Sequence, residues 1–196
     1  IHREFLEISA GTKAVIVTRN DWVLADGTKI LEDVRKLIFS RLGEHRVIDF
    51  NIRLTATADS VTFGDTKEGT FGLRVAESIA VDSKKGGQIV NSEGQTDAQA
   101  WGKKAKWVDY SGPVGDQIVG IAVLNHPSSF RFPTYWHVRT YGLFAANPFG
   151  WHDFVGRSDV SGAYTLGKGQ SIVFAYRVIL HKGRADEAKI AEAFEQ

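Results

Sequence analysis

Side chains able to do chemistry concentrate between Leu124 and Gly142, a stretch holding two of the six histidines, two of the four prolines and several aromatics. If Tyr135–Phe144 is extended, alternation puts His137, Arg139 and Tyr141 on one face and Trp136, Val138 and Thr140 on the other. An imidazole, a guanidinium and a phenol side by side offer a titratable base, a fixed cation and a hydroxyl donor. That set suits binding and proton transfer on a polyhydroxylated or carboxylated ligand. A solvated strand face with arginine–acid pairing would carry the same residues. His126, in Asn125-His126-Pro127, follows the strand Ile118–Leu124. Loops at strand ends carry functional groups, and histidines there also brace turns.

A second cluster is Phe63-Gly64-Asp65-Thr66-Lys67-Glu68-Gly69. Asp65 and Glu68 are candidate acid–base groups and Lys67 a candidate ligand contact, although a turn with both charge signs is equally at home in water. It lacks the Gly-x-x-x-x-Gly-Lys pattern of a phosphate loop and the oxygen spacing of a calcium loop. The third group runs from Trp101 to Tyr110, where Trp101 and Trp107 interleave with Lys103, Lys104 and Lys106. Indole faces stack on nucleobases or sugars, and they also fill cores. No Gly-x-Ser-x-Gly elbow, His-Glu-x-x-His pair or dinucleotide-binding glycine pattern occurs. The histidines at 2, 45, 126, 137, 152 and 181 show no tight metal spacing. Neither a metal nor another cofactor is expected.

The elements that must position these groups read mostly as strands. From Val47 to Asp59, Ile48, Phe50, Ile52, Leu54, Ala56 and Ala58 share one face, with Asp49, Asn51, Arg53, Thr55, Thr57 and Asp59 on the other. A slip of one residue would bury every charge, so the register is well specified. Ala14–Arg19, Thr70–Ala76, Ile118–Leu124, Tyr135–Phe144 and Ser171–His181 read similarly, separated by glycine-rich breaks. Ile30–Leu42 fits helix and strand alike. Arg184–Phe194, rich in Ala, Glu and Lys, reads as a short terminal helix.

Composition bounds the rest. The 196 residues suit one domain, 43% are hydrophobic, and 24 basic against 23 acidic residues leave a charge of +1. No basic field recruits nucleic acid or an anionic membrane. No apolar run approaches the ~20 residues of a membrane-spanning helix. The absence of cysteine excludes disulfides and thiolate chemistry.

Several blocks together resemble a known bacterial family. They are Phe63–Gly69, Trp101-Gly102-Lys103, Trp107-Val108-Asp109-Tyr110-Ser111-Gly112-Pro113, Asn125-His126-Pro127, Trp136-His137-Val138-Arg139 and Tyr141–Gly150. The family is the one labelled "PmoA-like", or methane oxygenase PmoA. A methane monooxygenase subunit would need membrane spans, so methane oxidation is rejected. The resemblance implies an all-β, antiparallel sandwich of the galactose-mutarotase type, a supersandwich with a concave face where sugars bind. It makes Ile30–Leu42 a strand. It also implies a His-rich block upstream of Ile1, so the chain is expected to be a single-domain portion of a longer product. A sheet edge would then be covered by the absent segment or by a second copy.

Two functions follow as expectations. The first is a carbohydrate-active enzyme (epimerase, hydrolase or lyase) with His137 or His126 as base or acid and Asp65 or Glu68 as its partner. Arg139, Tyr141, Lys67, Trp101 and Trp107 would hold the substrate. Its location would be soluble, periplasmic or secreted. The second is a glycan-binding or structural module without catalysis. One concave pocket holding aromatics and titratable groups together favours the enzyme; aromatics without histidines favour the module.

Overall fold

The computed structural model describes residues 1–68 and 70–196. Gly69, which brackets the Asp65 cluster in the sequence, lies outside the described residues. The chain begins with a meander of long strands: β1 His2–Ser9, β2 Ala14–Val23, β3 Lys29–Leu42 and β4 His45–Ala56. Short strands β5 Ser60–Phe63, β6 Phe71–Arg74 and β7 Gln88–Asn91 follow, then β8 Trp107–Val114 and β9 Gln117–Asn125. The last third holds β10 Tyr135–Val138, β11 Leu143–Asn147, helix α1 Trp151–Val155, β12 Tyr164–Gly167, β13 Ser171–Lys182 and helix α2 Ile190–Phe194.

The result is an all-β, antiparallel sandwich. One layer is an eight-stranded sheet in the order β1-β2-β3-β4-β13-β9-β8-β7. The other comprises a three-stranded sheet, β10-β11-β6, and the pair β12-β5. The alternation in β4 explains its central place. Leu54 and Ala56 are buried in the main core with Phe50 and Ile52 packed against it. On the opposite face Asp49 pairs with Arg177 of β13 at 2.7 Å. The main core joins Leu31, Leu54, Tyr110, Val123, Phe174 and Val178 of the large sheet to Trp136, Val138, Phe144 and Leu166 of the small ones. β1 and β2 contribute nothing to that core, and all eight residues of β1 are exposed. Ile30–Leu42 is a strand, as the resemblance implies. No described helix is long and apolar enough to cross a membrane.

Two elements differ from the sequence-based expectation. Tyr135–Phe144 is not one strand but parts of two, β10 and β11, folded back on each other from Tyr135↔Asn147 to Val138↔Phe144. The Gly142 N–H donates to the Arg139 carbonyl at 3.0 Å, closing a turn in which Gly142 takes φ +101°. A side chain at 142 would be strained there, and glycine makes the reversal cheap. The terminal helix is shorter than Arg184–Phe194. Lys189 sits at φ +55°, which interrupts the helical path, and regular helix covers only Ile190–Phe194.

The C-terminal segment covers the outer face of the large sheet. Ala185, Ala188, Ile190 and Ala193 pack on Val47, Ala122, Leu124 and Ile179. Under this cover His181 Nε2 meets Asp109 Oδ2 at 2.6 Å, both side chains fully buried. Gly120 lies between their strands, paired with His181 on one side and Ser111 on the other. A Cβ at 120 would fall 2.3 Å from His181 Cε1 and 3.0 Å from Ser111 Cβ. Gly120→Ala is therefore expected to cost about 1–3 kcal/mol through overpacking. Urea unfolding of the variant measures that loss; wild-type stability would show that the imidazole has room to move.

Candidate functional site

β10 positions His137 by simple alternation. Trp136 and Val138 point into the core at 0% exposure, so the intervening His137 faces away from it. The loop carrying Lys67 and helix α1 then cover the ring, leaving it 2% exposed. His137 Nδ1 bonds the Lys67 carbonyl. Because a carbonyl only accepts, Nδ1 carries the proton, and Nε2 is the bare nitrogen of the neutral ring. Trp101 and Phe154 meet the imidazole edge-on, with ring centroids 6.3 and 6.2 Å away. Arg139 lays its guanidinium over Trp101, 5.1 Å from the ring centroid.

The backbone holds this group in place. Gly102 N–H donates to the Trp136 carbonyl at 2.9 Å, and Trp136 N–H to the Lys103 carbonyl at 3.0 Å. Trp101 is thereby fixed beside β10. The buried Tyr110 hydroxyl donates to the Thr140 carbonyl at 2.8 Å, bracing the turn that bears Arg139. Asp65 ties the covering loop to α1 and the segment after it. Its Oδ2 accepts N–H bonds from Gly162 at 2.6 Å and His152 at 3.2 Å. Its Oδ1 lies 3.1 Å from His152 Nδ1. Burial would raise its pKa, but these donors outweigh burial and hold the carboxyl below the usual range. Gly150 lets the two elements approach: a Cβ there would sit 2.6 Å from the Thr66 carbonyl oxygen.

The structure thus joins His137, Arg139, Trp101 and the Lys67 backbone, residues from three separate sequence blocks. The other candidates stand elsewhere. Asp65 spends Oδ2 on two backbone N–H groups and turns Oδ1 to His152, and Glu68 is exposed beside the Lys67 ammonium at 3.9 Å. Among the described residues neither carboxylate pairs with His137 or His126, the histidines expected to work with them. Tyr141 does not share the face of His137, because the chain turns before it. It is half-exposed beneath the Arg74 guanidinium. His126 sits beyond the opposite, outer face of the large sheet, where its Nδ1 accepts from the Ser128 hydroxyl at 2.7 Å and caps a turn. Trp107 packs into the outer hydrophobic cluster. Phe154, whose ring meets both Trp101 and His137, lies beyond the recognisable block that ends at Gly150, and no signal in the sequence singles it out. Among the described residues, no three histidine or carboxylate side chains gather closely enough to hold a metal.

A second feature lies on the inner face of the large sheet. A half-open cleft of about 340 Å³ is walled by Phe50, Phe63, Phe71, Phe149, Phe174 and Tyr176, with Trp22, Arg35 and Thr70 also lining it. Phe71 stacks on Tyr176 at 4.6 Å and 10°. Behind Arg35 the fully buried Asp33 is saturated. Its oxygens accept from Arg35 Nε (2.8 Å) and Nη2 (2.9 Å), from Trp22 Nε1 (2.6 Å) and from Asn20 Nδ2 (2.8 Å). Burial opposes the carboxylate charge, yet these four donors keep its pKa below the ordinary aspartate value. The sequence displays Asp33 and Arg35 two apart on one strand. What it does not display is that their face turns inward, towards the cleft.

No curated protein matches the chain. Among solved structures, a galactose mutarotase related enzyme from Lactobacillus acidophilus is similar over 91% of this chain and 71% of that one. Its identity is 9% and the TM-score 0.35, too distant to bear on activity. The "PmoA-like" label of the sequence resemblance finds no counterpart in these comparisons. A family model described only as of unknown function covers residues 1–195, and the chain belongs to that family, DUF6807.

Proposed function

We propose that the protein binds a carbohydrate in the inner-face cleft without transforming it. The observation that carries this is the make-up of the cleft: aromatic walls, one guanidinium, and no histidine or carboxylate among its lining residues. Its volume is that of a small-molecule site. Aromatic faces suit the C–H surface of a pyranose, and the Trp22 indole is 40% exposed beside them. Arg35 spends Nε and Nη2 on Asp33. Nη1 makes no protein bond among the described residues, leaving it for a ligand hydroxyl. A proton-transfer reaction needs a titratable group at the reacting centre. The nearest acid, Asp33, is locked by four donors, so binding is favoured over turnover.

Calorimetric titration with mono- and disaccharides tests the proposal. Saturable binding is expected, weakened by about tenfold or more (~1.4 kcal/mol) in Trp22→Ala and Arg35→Ala. The sugar should be recovered chemically unchanged. No saturable binding, or binding indifferent to both variants, would remove the cleft from consideration. Conversion of a sugar by the wild-type protein would restore the enzyme reading.

A further inference from the structure

The cluster of Trp101, His137 and Arg139 contains three buried nitrogens without a hydrogen-bond partner among the described residues: Trp101 Nε1, His137 Nε2 and Arg139 Nε. Buried donors are almost always satisfied, and each orphan costs about 1–3 kcal/mol. Two of these, Trp101 Nε1 and Arg139 Nε, are donors, and two orphan donors on side chains stacked on one another indicate a missing acceptor. From this we infer that the cluster is a binding site for a small carboxylate, independent of the inner-face cleft and on the other side of the small sheet.

The donor set selects the ligand. Indole Nε1 and guanidinium Nε can only donate, so they call for an acceptor. Arg139 has no carboxylate within ion-pairing distance among the described residues, which leaves its charge uncompensated in the fold. The acidic groups around the cluster are otherwise engaged: Asp65 and Asp153 face His152, and Glu68 faces the Lys67 ammonium. A single guanidinium matches a single negative charge, and the planar fork of arginine fits a carboxylate. The edges of Trp101 and Phe154 give a short alkyl tail an apolar wall. Trp101 and Arg139 are each partly exposed, so the site reaches the surface.

His137 has Nδ1–H committed to the Lys67 carbonyl, so Nε2 is the one ring nitrogen it can turn to a ligand.

Acetate is the probe, at constant ionic strength set with sodium chloride. The indole N–H resonance of Trp101, assigned by its absence in Trp101→Phe, should move and saturate as acetate is added. Arg139→Gln should weaken acetate binding by about tenfold or more. The wild-type indole signal decides the matter even where a variant fails to fold. A shift that never saturates, an equal response to inorganic phosphate or chloride, or an Arg139→Gln protein with unchanged affinity would each overturn the site. An unmoved indole signal would mean that a water molecule is the missing acceptor, and would overturn it as well.

Discussion

Replacing Asp109 by alanine is expected to lower the unfolding free energy by about 3–5 kcal/mol, the usual result of removing one member of a buried charged pair. Asp109 and His181 are both fully buried and 2.6 Å apart, beneath the C-terminal segment. Without the carboxylate, His181 would keep Nε2 in a closed space with nothing to bond. The pair also makes stability depend on pH in a definite direction. Burial alone would lower the His181 pKa, but the hydrogen bond and charge of Asp109 overcome burial and raise it above the ordinary histidine value. The native state then holds a proton that the unfolded chain releases earlier. The contribution is full below about pH 6.5, the unfolded value, and is lost as pH rises through the raised folded value. Urea unfolding across that range should show stability falling with pH in the wild type. Asp109→Asn, which removes the charge but keeps the shape, should flatten the curve. A wild-type curve without this slope would mean that the pair stays neutral when folded.

How far the sequence reaches depends on the range of the interactions. β4 and β13 were legible because a two-residue period with one wet face is a local signal, repeated many times along each strand. Ile30–Leu42 was not decided by its own pattern, since charges every few residues suit both periods. Its place between β2 and β4 decides it. Tyr135–Phe144 misled because alternation continues through Arg139–Tyr141, while a single glycine and the backbone bonds around it reverse the chain. The site shows the same limit. His137 and Lys67 are 70 residues apart, and the bond between them is a backbone contact that no side-chain spacing encodes. Asp65 and Glu68 looked equivalent as neighbours in a charged turn. They differ because the loop buries one carboxylate against the backbone of Gly162 and leaves the other in water.

Asp33 offers the second large effect, because it supports both the sheet and the cleft. Asp33→Ala strips four donors of their acceptor at once: two nitrogens of Arg35, the Trp22 indole and the Asn20 amide. The expected destabilisation is about 2–3 kcal/mol, below the 3–5 of a wholly buried pair. The reason is that Arg35 is 40% exposed and water can replace part of what it loses. The contribution of Asp33 has the opposite pH sense to that of His181. Its pKa is depressed on folding, so its stabilisation is complete above about pH 3.9 and is lost as pH falls through the lower folded value. A functional loss should accompany the structural one. Released from Asp33, Arg35 and Trp22 regain rotamer freedom that must be lost again on binding, at about 0.5–1.5 kcal/mol for each side chain. Sugar affinity in the cleft should therefore drop by about tenfold or more, with the fold retained at room temperature. Asp33→Asn should fall between, since its carboxamide can still accept from Trp22 or Arg35 through one oxygen. Circular dichroism with saccharide titration of both variants tests this order. An Asp33→Ala protein that binds sugar as tightly as the wild type would show that Arg35 and Trp22 hold their positions without the buried carboxylate.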